Sequence, residues 1–236
     1  METFKILLLI ARPAAGKSEV IHYLKEVPRA DRIRRFHIGS FHELDDFPTL
    51  WRWFEEDALL ERMGYPRLHT TPEGYFSHPY FWDLLIERIC LDYQKLLRDF
   101  DGDTVILEFS RGLEHGGYRQ AFEHLSTQIL KDLAILYIDV PWEESLRKNR
   151  RRFNPERPDS ILEHGLPDEK LERLYRYTDW HELIEGYPEK LPIKEFLIPY
   201  AVFDNADDVT TAQGPALGTR LESALAKLWA RYHPVQ

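Results

Sequence analysis

The residues Ala11-Arg-Pro-Ala-Ala-Gly-Lys-Ser18 form a short loop between two segments with regular apolar patterns. Residues 4–10 before the loop are mostly apolar and branched, which is typical of a buried strand. Residues 19–27 after it place their apolar side chains on one helical face. The stretch therefore predicts a strand, a tight loop and a helix in succession, and this unit decides the fold.

A loop that ends in Gly-Lys-Ser and opens a helix is suited to bind phosphate groups, because its backbone N–H groups turn inward and the helix dipole adds positive potential. We expect Lys17 to bridge the terminal phosphates of a triphosphate and the Ser18 hydroxyl to hold magnesium. The residues expected to surround the phosphates are Ala11, Arg12, Pro13, Ala14, Ala15, Gly16, Lys17 and Ser18.

Two positions of the loop depart from the usual pattern. Ala11 and Ala14 stand where glycine is common in such loops. An alanine at a position that needs a positive φ costs about 1 kcal/mol or more. Alanine is the smallest replacement, so the loop is still expected to form.

Composition places the chain among ordinary globular proteins. Its 236 residues, 43% hydrophobic and 30% charged, predict one α/β domain over residues 1–236. No apolar run approaches the roughly 18 residues that a membrane helix needs. A net charge of -9 argues against a general nucleic-acid binder. The only cysteine, Cys90, excludes an intramolecular disulfide and favours a reducing, cytoplasmic setting. A homodimer remains open.

Further apolar runs alternate with helical patterns along the chain. Strands are predicted at residues 4–11, 33–38, 104–109, 133–140 and 197–203. Five strands alternating with helices indicate a five-stranded parallel sheet with helices on both faces. Glu108 lies at the end of the third strand, at the carboxyl edge where open α/β sheets bind ligands. It is a candidate to contact magnesium or an acceptor.

Aromatic residues are concentrated between residues 41 and 82. Eleven of these 42 residues are Phe, Trp or Tyr, about twice the share expected from the whole chain. Flat side chains in this number are suited to wall a small-molecule pocket, and they are equally suited to a plain apolar core. Residues 41–82 are therefore a candidate acceptor-binding region, with both interpretations open.

A densely basic helix follows Pro141 in this otherwise acidic chain. Its cations are Arg147, Lys148, Arg150, Arg151 and Arg152, with Arg157 after a break. Residues 154–166 contain two prolines and a glycine, as a mobile segment would. Residues 147–170 are therefore a candidate arginine-rich lid, although a solvated helix face would have the same composition.

These features together resemble the P-loop kinases of the nucleoside and nucleotide kinase group. The loop matches the phosphate loop of that family, and Glu108-Phe-Ser-Arg111 is similar to its Glu-Arg-Ser and Phe-Pro-Arg motifs. The segment from Tyr137 to Arg152 resembles the strand, proline and lid helix of that family, and Val202-Phe-Asp-Asn205 resembles its last strand. The resemblance implies an ATP- and magnesium-dependent kinase in which Arg111 lies between donor and acceptor and Arg147 and Arg151 close over the phosphoryl group.

The acceptor side carries a second similarity. Ser40-Phe-His-Glu-Leu-Asp-Asp-Phe47 lies where uridine-kinase-like enzymes carry Asp-Asp-Phe and deoxynucleoside kinases carry a catalytic glutamate. This implies that Asp45 or Asp46 accepts the proton of an acceptor hydroxyl, with Glu43 also in range. A helix cap or a surface charge would explain any one of these carboxylates equally well.

The sequence thus favours a kinase acting on a small-molecule acceptor such as a nucleoside, a nucleotide or another hydroxyl compound. Residues 41–63 carry seven acidic residues against Arg52 and Arg62, which favours a hydroxyl over a phosphate acceptor. The alternative is a nucleotide-binding protein with a structural or regulatory role, favoured by Ala11 and Ala14. A GTP-driven switch is disfavoured because no Asn-Lys-x-Asp motif occurs.

Overall fold

The apolar run before the loop forms a central strand of a mixed sheet. The computed structural model describes residues 2–154, 156 and 165–232. Within these residues the strands are β1 (Ile6–Ala11), β2 (Phe41–Asp45), β3 (Thr104–Phe109), β4 (Leu133–Asp139), β5 (Lys190–Ile193) and β6 (Phe196–Asp204). Their order is β2-β3-β1-β4-β6-β5. The first five in that order are parallel, and β5 is antiparallel to β6.

The expected sheet of five parallel strands is therefore wrong in two respects. Six strands are present in the described residues, because β5 pairs with β6 as a hairpin around Lys194, whose φ is 51°. The four residues of β5 include Pro192, which breaks the strand pattern in the sequence and is tolerated here at the edge of the sheet.

The second error concerns residues 33–38, which were predicted as a strand. Residues Arg29–Phe36 form a helix whose buried side chains, Arg32 and Phe36, are four residues apart. The Arg32 guanidinium donates hydrogen bonds to the backbone oxygens of Leu24, Val27 and Gly39. Strand β2 follows at residues 41–45 and is half-exposed, so it has little of the apolar signal of a buried parallel strand.

Helices cover both faces of the sheet. They are α1 (Lys17–Glu26), α2 (Arg29–Phe36), α3 (Phe47–Arg62), α4 (Tyr80–Leu96), α5 (Gly117–Glu123), α6 (Thr127–Leu130), α7 (Trp142–Arg152), α8 (Asp168–Tyr175), α9 (Trp180–Leu183), α10 (Val209–Ala212) and α11 (Pro215–Arg231). One core packs α4 and α5 against Ile6, Leu8 and Ile10. The other packs α1, α2 and α11 against Leu7 and Leu9. None of the helices in the described part of the chain combines the length and apolar character of a membrane span.

The parallel register determines what lies at the carboxyl edge of the sheet. Leu9 of β1 is paired with Glu108 of β3, and Glu108 is paired with Asp45 of β2. The six side chains of β1 are fully buried. Burying each large aliphatic side chain stabilises the folded protein by about 1.5–3 kcal/mol. This buried strand fixes the level at which the loop after β1 faces the two carboxylates.

Candidate active site

A cleft of about 940 Å³ opens at the carboxyl edge of the parallel strands. It is lined by the loop after β1, the ends of β2 and β3, and residues of α3, α4, α7 and α8. Of the residues predicted for the site, those that line the cleft are Pro13, Ala14, Ala15, Gly16, Lys17, Ser18, Asp45, Asp46, Glu108, Arg111 and Arg151. Ala11, Arg12 and Arg147 do not line it.

The two alanines that replace glycine in the loop differ in their cost. Ala11 is the last residue of β1 and has no positive φ, so a glycine is not needed there. Ala14 has a φ of 57° and does occupy a left-handed conformation, which costs about 1 kcal/mol or more for a residue with a Cβ. Gly16 has a φ of 114°, and a Cβ at this position would lie 2.6 Å from the Thr210 hydroxyl.

Side chains distant in sequence hold the loop in this shape. Asn205 donates from Nδ2 to the backbone oxygen of Ala15 at 2.8 Å and to the Thr210 hydroxyl at 2.9 Å. The Ser145 hydroxyl donates to the backbone oxygen of Pro13 at 2.8 Å. Arg12 points away from the cleft and donates to the backbone oxygen of Val140 at 2.9 Å. The loop is thus fixed from outside, with its cleft-facing side left open.

The start of α1 is suited to an anion. No side chain caps this helix, whose N-cap residue is Gly16, so the first-turn N–H groups are not satisfied by a cap. The Lys17 ammonium donates to the hydroxyl of Ser110, the residue after β3, at 2.8 Å. The lysine side chain therefore spans from the start of α1 to the end of β3. Ser18 is exposed and lines the cleft. A free helix start with a lysine and a hydroxyl is the donor set that phosphates require.

Asp45 and Glu108 form a carboxylate pair at the ends of their strands. They are hydrogen-bonded to each other, and burial, together with the negative charges of Glu108 and Asp46, raises the pKa of Asp45 to about 9. The second oxygen of Glu108, Oε2, is buried and has no hydrogen-bond partner among the described residues. At neutral pH the pair therefore holds one proton and still presents an unsatisfied oxygen.

This pair fits a magnesium ion that arrives with phosphates. No preformed cluster of three or more acidic, histidine or cysteine ligands occurs among the described residues. Mg²⁺ at phosphate-transfer sites keeps several waters and takes only one or two carboxylates from the protein. The orphaned oxygen of Glu108 and the hydroxyl of Ser18 supply ligands of that kind.

Asp46 and Arg111 neutralise each other. The Arg111 guanidinium donates to Asp46 Oδ2 at 2.6 Å, and the Arg111 side chain is 1% exposed. It also donates to the backbone oxygen of Trp82 at 3.1 Å and lies 5.2 Å from the centroids of the Trp82 and Phe109 rings. Asp46 is held by this cation, whereas Asp45 forms no ion pair with a described residue.

His115 supports this group from behind. Its ring stacks on Trp82 at 3.6 Å, and its Nδ1 accepts a hydrogen bond from the backbone N–H of Gly112 at 3.3 Å. Burial and the charge of Arg111 lower the pKa of His115 to about 2. The imidazole is therefore neutral and acts as a flat backing for Trp82.

The basic helix α7 divides its cations among different partners, as their positions around the helix require. Arg147 pairs with Glu144 and Asp208 outside the cleft. Arg150 pairs with Asp168 at 2.6 Å and is 62% exposed. Arg151 lines the cleft and forms no ion pair with a described residue. Arg152 also lines the cleft.

Part of the predicted lid lies outside the described residues, namely residue 155 and residues 157–164, including Arg157. The described part of 147–170 comprises residues 147–154, residue 156 and residues 165–170, which include the end of α7 and the start of α8. An arginine-rich lid therefore stays a prediction.

The aromatic region 41–82 divides between cleft and core. Trp51, Phe54 and Phe76 line the cleft. Trp53 instead stacks on His69 at 5.0 Å in the packing behind it. The two interpretations that the sequence left open thus apply to different side chains of the same segment.

The buried carboxylate of Asp57 holds the loop at residues 68–70 by hydrogen bonds. Asp57 accepts hydrogen bonds from the backbone N–H groups of Leu68, His69 and Thr70 and from the Thr70 hydroxyl. These donors outweigh the effect of burial and lower the pKa of Asp57 to about 2. Asp57 is thus a structural residue, and it connects the end of α3 to the loop that carries Tyr75 and Phe76.

Several residues of the site carry no local signal in the sequence. Lys148 is 5% exposed and donates to Asp208 at 2.7 Å and to the Thr210 hydroxyl at 2.9 Å, beneath the phosphate loop. Asn205 could have been suspected, because it ends the last parallel strand at the ligand-binding edge. Thr210 is found only from the fold, and so is the role of Lys148 as a support of the loop rather than a lid cation.

No protein-family model matches the chain, and no curated protein matches its sequence. Among solved structures it is similar to TT1252 from Thermus thermophilus, at 17% identity and a TM-score of 0.49, with 97% of each chain covered. A sugar kinase from Janibacter sp. HTCC2649 is 15% identical, with a TM-score of 0.44 and coverage of 97% of this chain and 98% of that one. The tunicamycin resistance protein of Deinococcus radiodurans is 12% identical, with a TM-score of 0.43 and coverage of 94% and 96%.

The chain's own architecture identifies its fold class. The unit of β1, loop and uncapped α1 lies within a run of five parallel strands with helices on both faces. Over the described residues the fold is an α/β fold with a mostly parallel six-stranded sheet. In this fold the carboxylates of β2 and β3 and the loop after β1 line one cleft. At such low identities the substrates of the similar structures are no guide to the substrate of this chain.

Replacing Asp45 by Asn is expected to stabilise the ligand-free protein increasingly as pH rises. The Asp45 carboxyl has an ordinary pKa of 3.8 and a folded-state pKa of about 9. Folding therefore takes up a proton between these values, and the parent protein loses stability as pH rises through that range. The advantage of the variant in the free energy of unfolding should grow by at least about 1 kcal/mol from about pH 5 to about pH 8, measured by urea denaturation.

Glu43→Gln is the control on the same strand, because Glu43 is more exposed and pairs with Lys25 at 2.7 Å. Its effect should change little with pH. An Asp45→Asn advantage that is equal at both pH values would show that Asp45 does not retain a proton in the folded protein.

Proposed function

We propose that this protein is an ATP- and magnesium-dependent phosphotransferase that acts on a hydroxyl group of a small molecule. The observation that supports it most is the shared cleft, in which the phosphate loop with Lys17 faces the Asp45–Glu108 pair. Phosphoryl transfer needs positioning and charge neutralisation more than covalent chemistry, so these few groups suffice.

On the donor side, the loop N–H groups and Lys17 bind the phosphates of ATP. Ser18 and Glu108 hold magnesium, which when bound neutralises charge on the phosphates. Arg151 enters from α7 and adds positive charge where the phosphoryl group passes. Arg111 acts through Asp46 and the backbone around Trp82, so its role is to fix the acceptor side of the cleft.

On the acceptor side, the hydroxyl oxygen forms a bond to the γ-phosphorus while the bond from that phosphorus to the bridging oxygen of ADP breaks. The hydroxyl proton passes to Asp45 once Asp45 has lost its own proton. The Asp46–Arg111 pair leaves Asp46 less able to accept it. The sharing of a proton between Asp45 and Glu108 keeps the pair from ionising fully until a positive charge is nearby.

A regulatory nucleotide-binding protein remains the second candidate, and the left-handed Ala14 favours it. Strain at this position makes the loop less favourable to form than a glycine loop would be. Such a protein would bind ATP without releasing ADP in response to an acceptor. The two candidates therefore differ in a measurable quantity.

The deciding experiment measures ADP release from ATP and magnesium across a panel of nucleosides, nucleotides, sugars and antibiotics. We expect release that depends on at least one acceptor and that falls at least about a hundredfold in Lys17→Ala. Lys25→Ala is the control on the same helix, since Lys25 pairs with Glu43 away from the loop. ATP binding without acceptor-dependent release in the parent protein would favour the regulatory role, and full activity of a folded Lys17→Ala protein would exclude the proposed loop function.

Glu108→Gln should separate catalysis from stability. The amide keeps the shape of the side chain but removes its charge, so turnover should fall by about a hundredfold or more. Affinity for ATP without magnesium should hardly change. The melting temperature should stay level or rise, because without the charge of Glu108 the pKa of Asp45 is raised less, and keeping Asp45 protonated in the folded state costs less stability. Normal turnover with a large loss of stability would give Glu108 a structural role only.

Arg151 and Arg150 are adjacent on α7 but have different surroundings, which makes them a matched pair. Arg151→Ala should lower kcat at least about tenfold, because this cation lines the cleft. Arg150→Ala should leave kcat nearly unchanged, because Arg150 is exposed and paired with Asp168. Equal, small losses in both variants would mean that α7 contributes only a diffuse positive field.

A further inference from the structure

Helix α3 turns its apolar face towards the cleft. Phe47, Leu50, Trp51 and Phe54 line the cleft at the spacing of one helical stripe. Each is only half-buried, and Asp57 is the single buried residue described in this sixteen-residue helix. A long helix normally buries its apolar stripe against the core. Here the stripe faces open space of ligand size.

The neighbouring side of the cleft is also aromatic, and its Phe76 ring packs against Phe54 of α3, with centroids 5.8 Å apart. The Phe76 ring meets the Trp82 ring edge-on, with centroids 4.7 Å apart. His115 covers the far face of Trp82 at 3.6 Å. Because these rings pack on one another and on α3, the aromatic surface of the cleft is preformed. Preformed aromatic walls suit a flat ring, which loses little entropy on binding.

Lys170 lies at the Tyr75 end of this aromatic surface. The Lys170 ammonium lies 4.9 Å from the Tyr75 ring centroid and makes no ion pair with any described residue. Gly74 leaves the space that it occupies, since a Cβ there would come within 2.3 Å of the Lys170 nitrogen. Arg173 lies 4.6 Å from the same ring, but it is paired with Glu114 at 2.7 Å.

The electrostatics of Lys170 point in the same direction. Burial lowers its pKa, and the charge of Glu73 offsets this only in part. A partly desolvated cation is poorly satisfied in the ligand-free cleft and gains from an anion placed against it. Glu55, an acidic residue that also lines the cleft, is engaged by the Trp51 indole N–H at 2.8 Å.

We propose that the acceptor is a flat aromatic or heteroaromatic alcohol that carries an anionic group, with its ring between α3 and Trp82 and its anion on Lys170. The hydroxyl part of this inference rests on the proposed function. The ring and the anion rest on the pocket walls and on Lys170 alone, so they are testable by binding without turnover.

The test is calorimetric titration of the whole protein without ATP. The probes are 6-(hydroxymethyl)-2-naphthoate, the neutral 2-naphthalenemethanol, the non-aromatic 4-(hydroxymethyl)cyclohexanecarboxylate, and 2-naphthyl phosphate. We expect one or both of the naphthyl anions to bind at least about tenfold more tightly than the neutral and the non-aromatic compounds. The two anions show whether a carboxylate or a phosphate suits Lys170 better.

Variants of Lys170 then assign the anion to this residue. Lys170→Met should weaken binding of the preferred naphthyl anion at least about tenfold and leave the neutral alcohol unchanged. Lys170→Arg keeps the charge and should restore most of the affinity for the anion. If Lys170 only packed on Tyr75, its replacement by Met would change the affinity for the anion and for the neutral alcohol alike. Lys227→Met is the control, because Lys227 is exposed on α11 and does not line the cleft.

Two binding results would overturn this inference. One is equal affinity for charged and neutral naphthyl compounds, and the other is an unchanged affinity for the anions in a folded Lys170→Met protein. Failure of the proposed function looks different, since the probes would bind as expected while no acceptor released ADP. Acceptor-dependent ADP release confined to neutral, non-planar compounds would refute only the acceptor class.

Discussion

The parallel register of β1, β2 and β3 is the constraint on which the site depends. It places Glu108 beside both Leu9 and Asp45 at one level of the sheet. The loop after β1 therefore begins just beyond the level of the carboxylate pair. A one-residue slip would turn every side chain of a strand to the other face, and the buried side chains of β1 oppose such a slip on both faces of the sheet. The apolar core thus determines where the polar groups meet.

The polar groups and the loop at this edge of the sheet lower the stability of the ligand-free protein. Asp45 retains a proton at neutral pH, Glu108 has an unsatisfied oxygen, and Ala14 is held in a left-handed conformation. Each of these lowers stability by an amount of order 1 kcal/mol or more. Local rules are broken in this way mainly at functional sites, where a ligand supplies the missing partner. The same cleft also contains Lys170, a cation that makes no ion pair with any described residue. Unsatisfied groups of both signs in one cleft favour two ligands, a metal-bound phosphate on one side and a separate anion on the other.

The parts of the fold that the sequence predicts are those with a local cause. The loop, α1, β1, β3, β4 and β6 follow from apolar runs and from Gly-Lys-Ser, because buried parallel strands and phosphate loops have short-range signatures. Strand β2 was misplaced because it is half-exposed at an edge, where an alternating polar pattern hides it. The carboxylates of β2 and β3 were found as candidates, but their pairing depends on register, which no local pattern contains. Arg111 lines the cleft and is also buried against Asp46, an interaction across 65 positions of the chain that no local pattern contains.

The support of the phosphate loop explains how α7 is placed. The Lys148 ammonium connects Asp208 and Thr210, and Thr210 in turn fills the space that a side chain at position 16 would need. A buried ammonium with an ionic partner and a hydroxyl acceptor is well satisfied, and removing one member would leave the others unpaired at a cost of several kcal/mol. The base of α7 is therefore fixed to the loop, independently of any nucleotide. Arg151 lies three residues further along the same helix, nearly one turn on. The position of Arg151 in the cleft is consequently set by Lys148, a neighbouring cation that also lines the cleft but is held by Asp208 and Thr210.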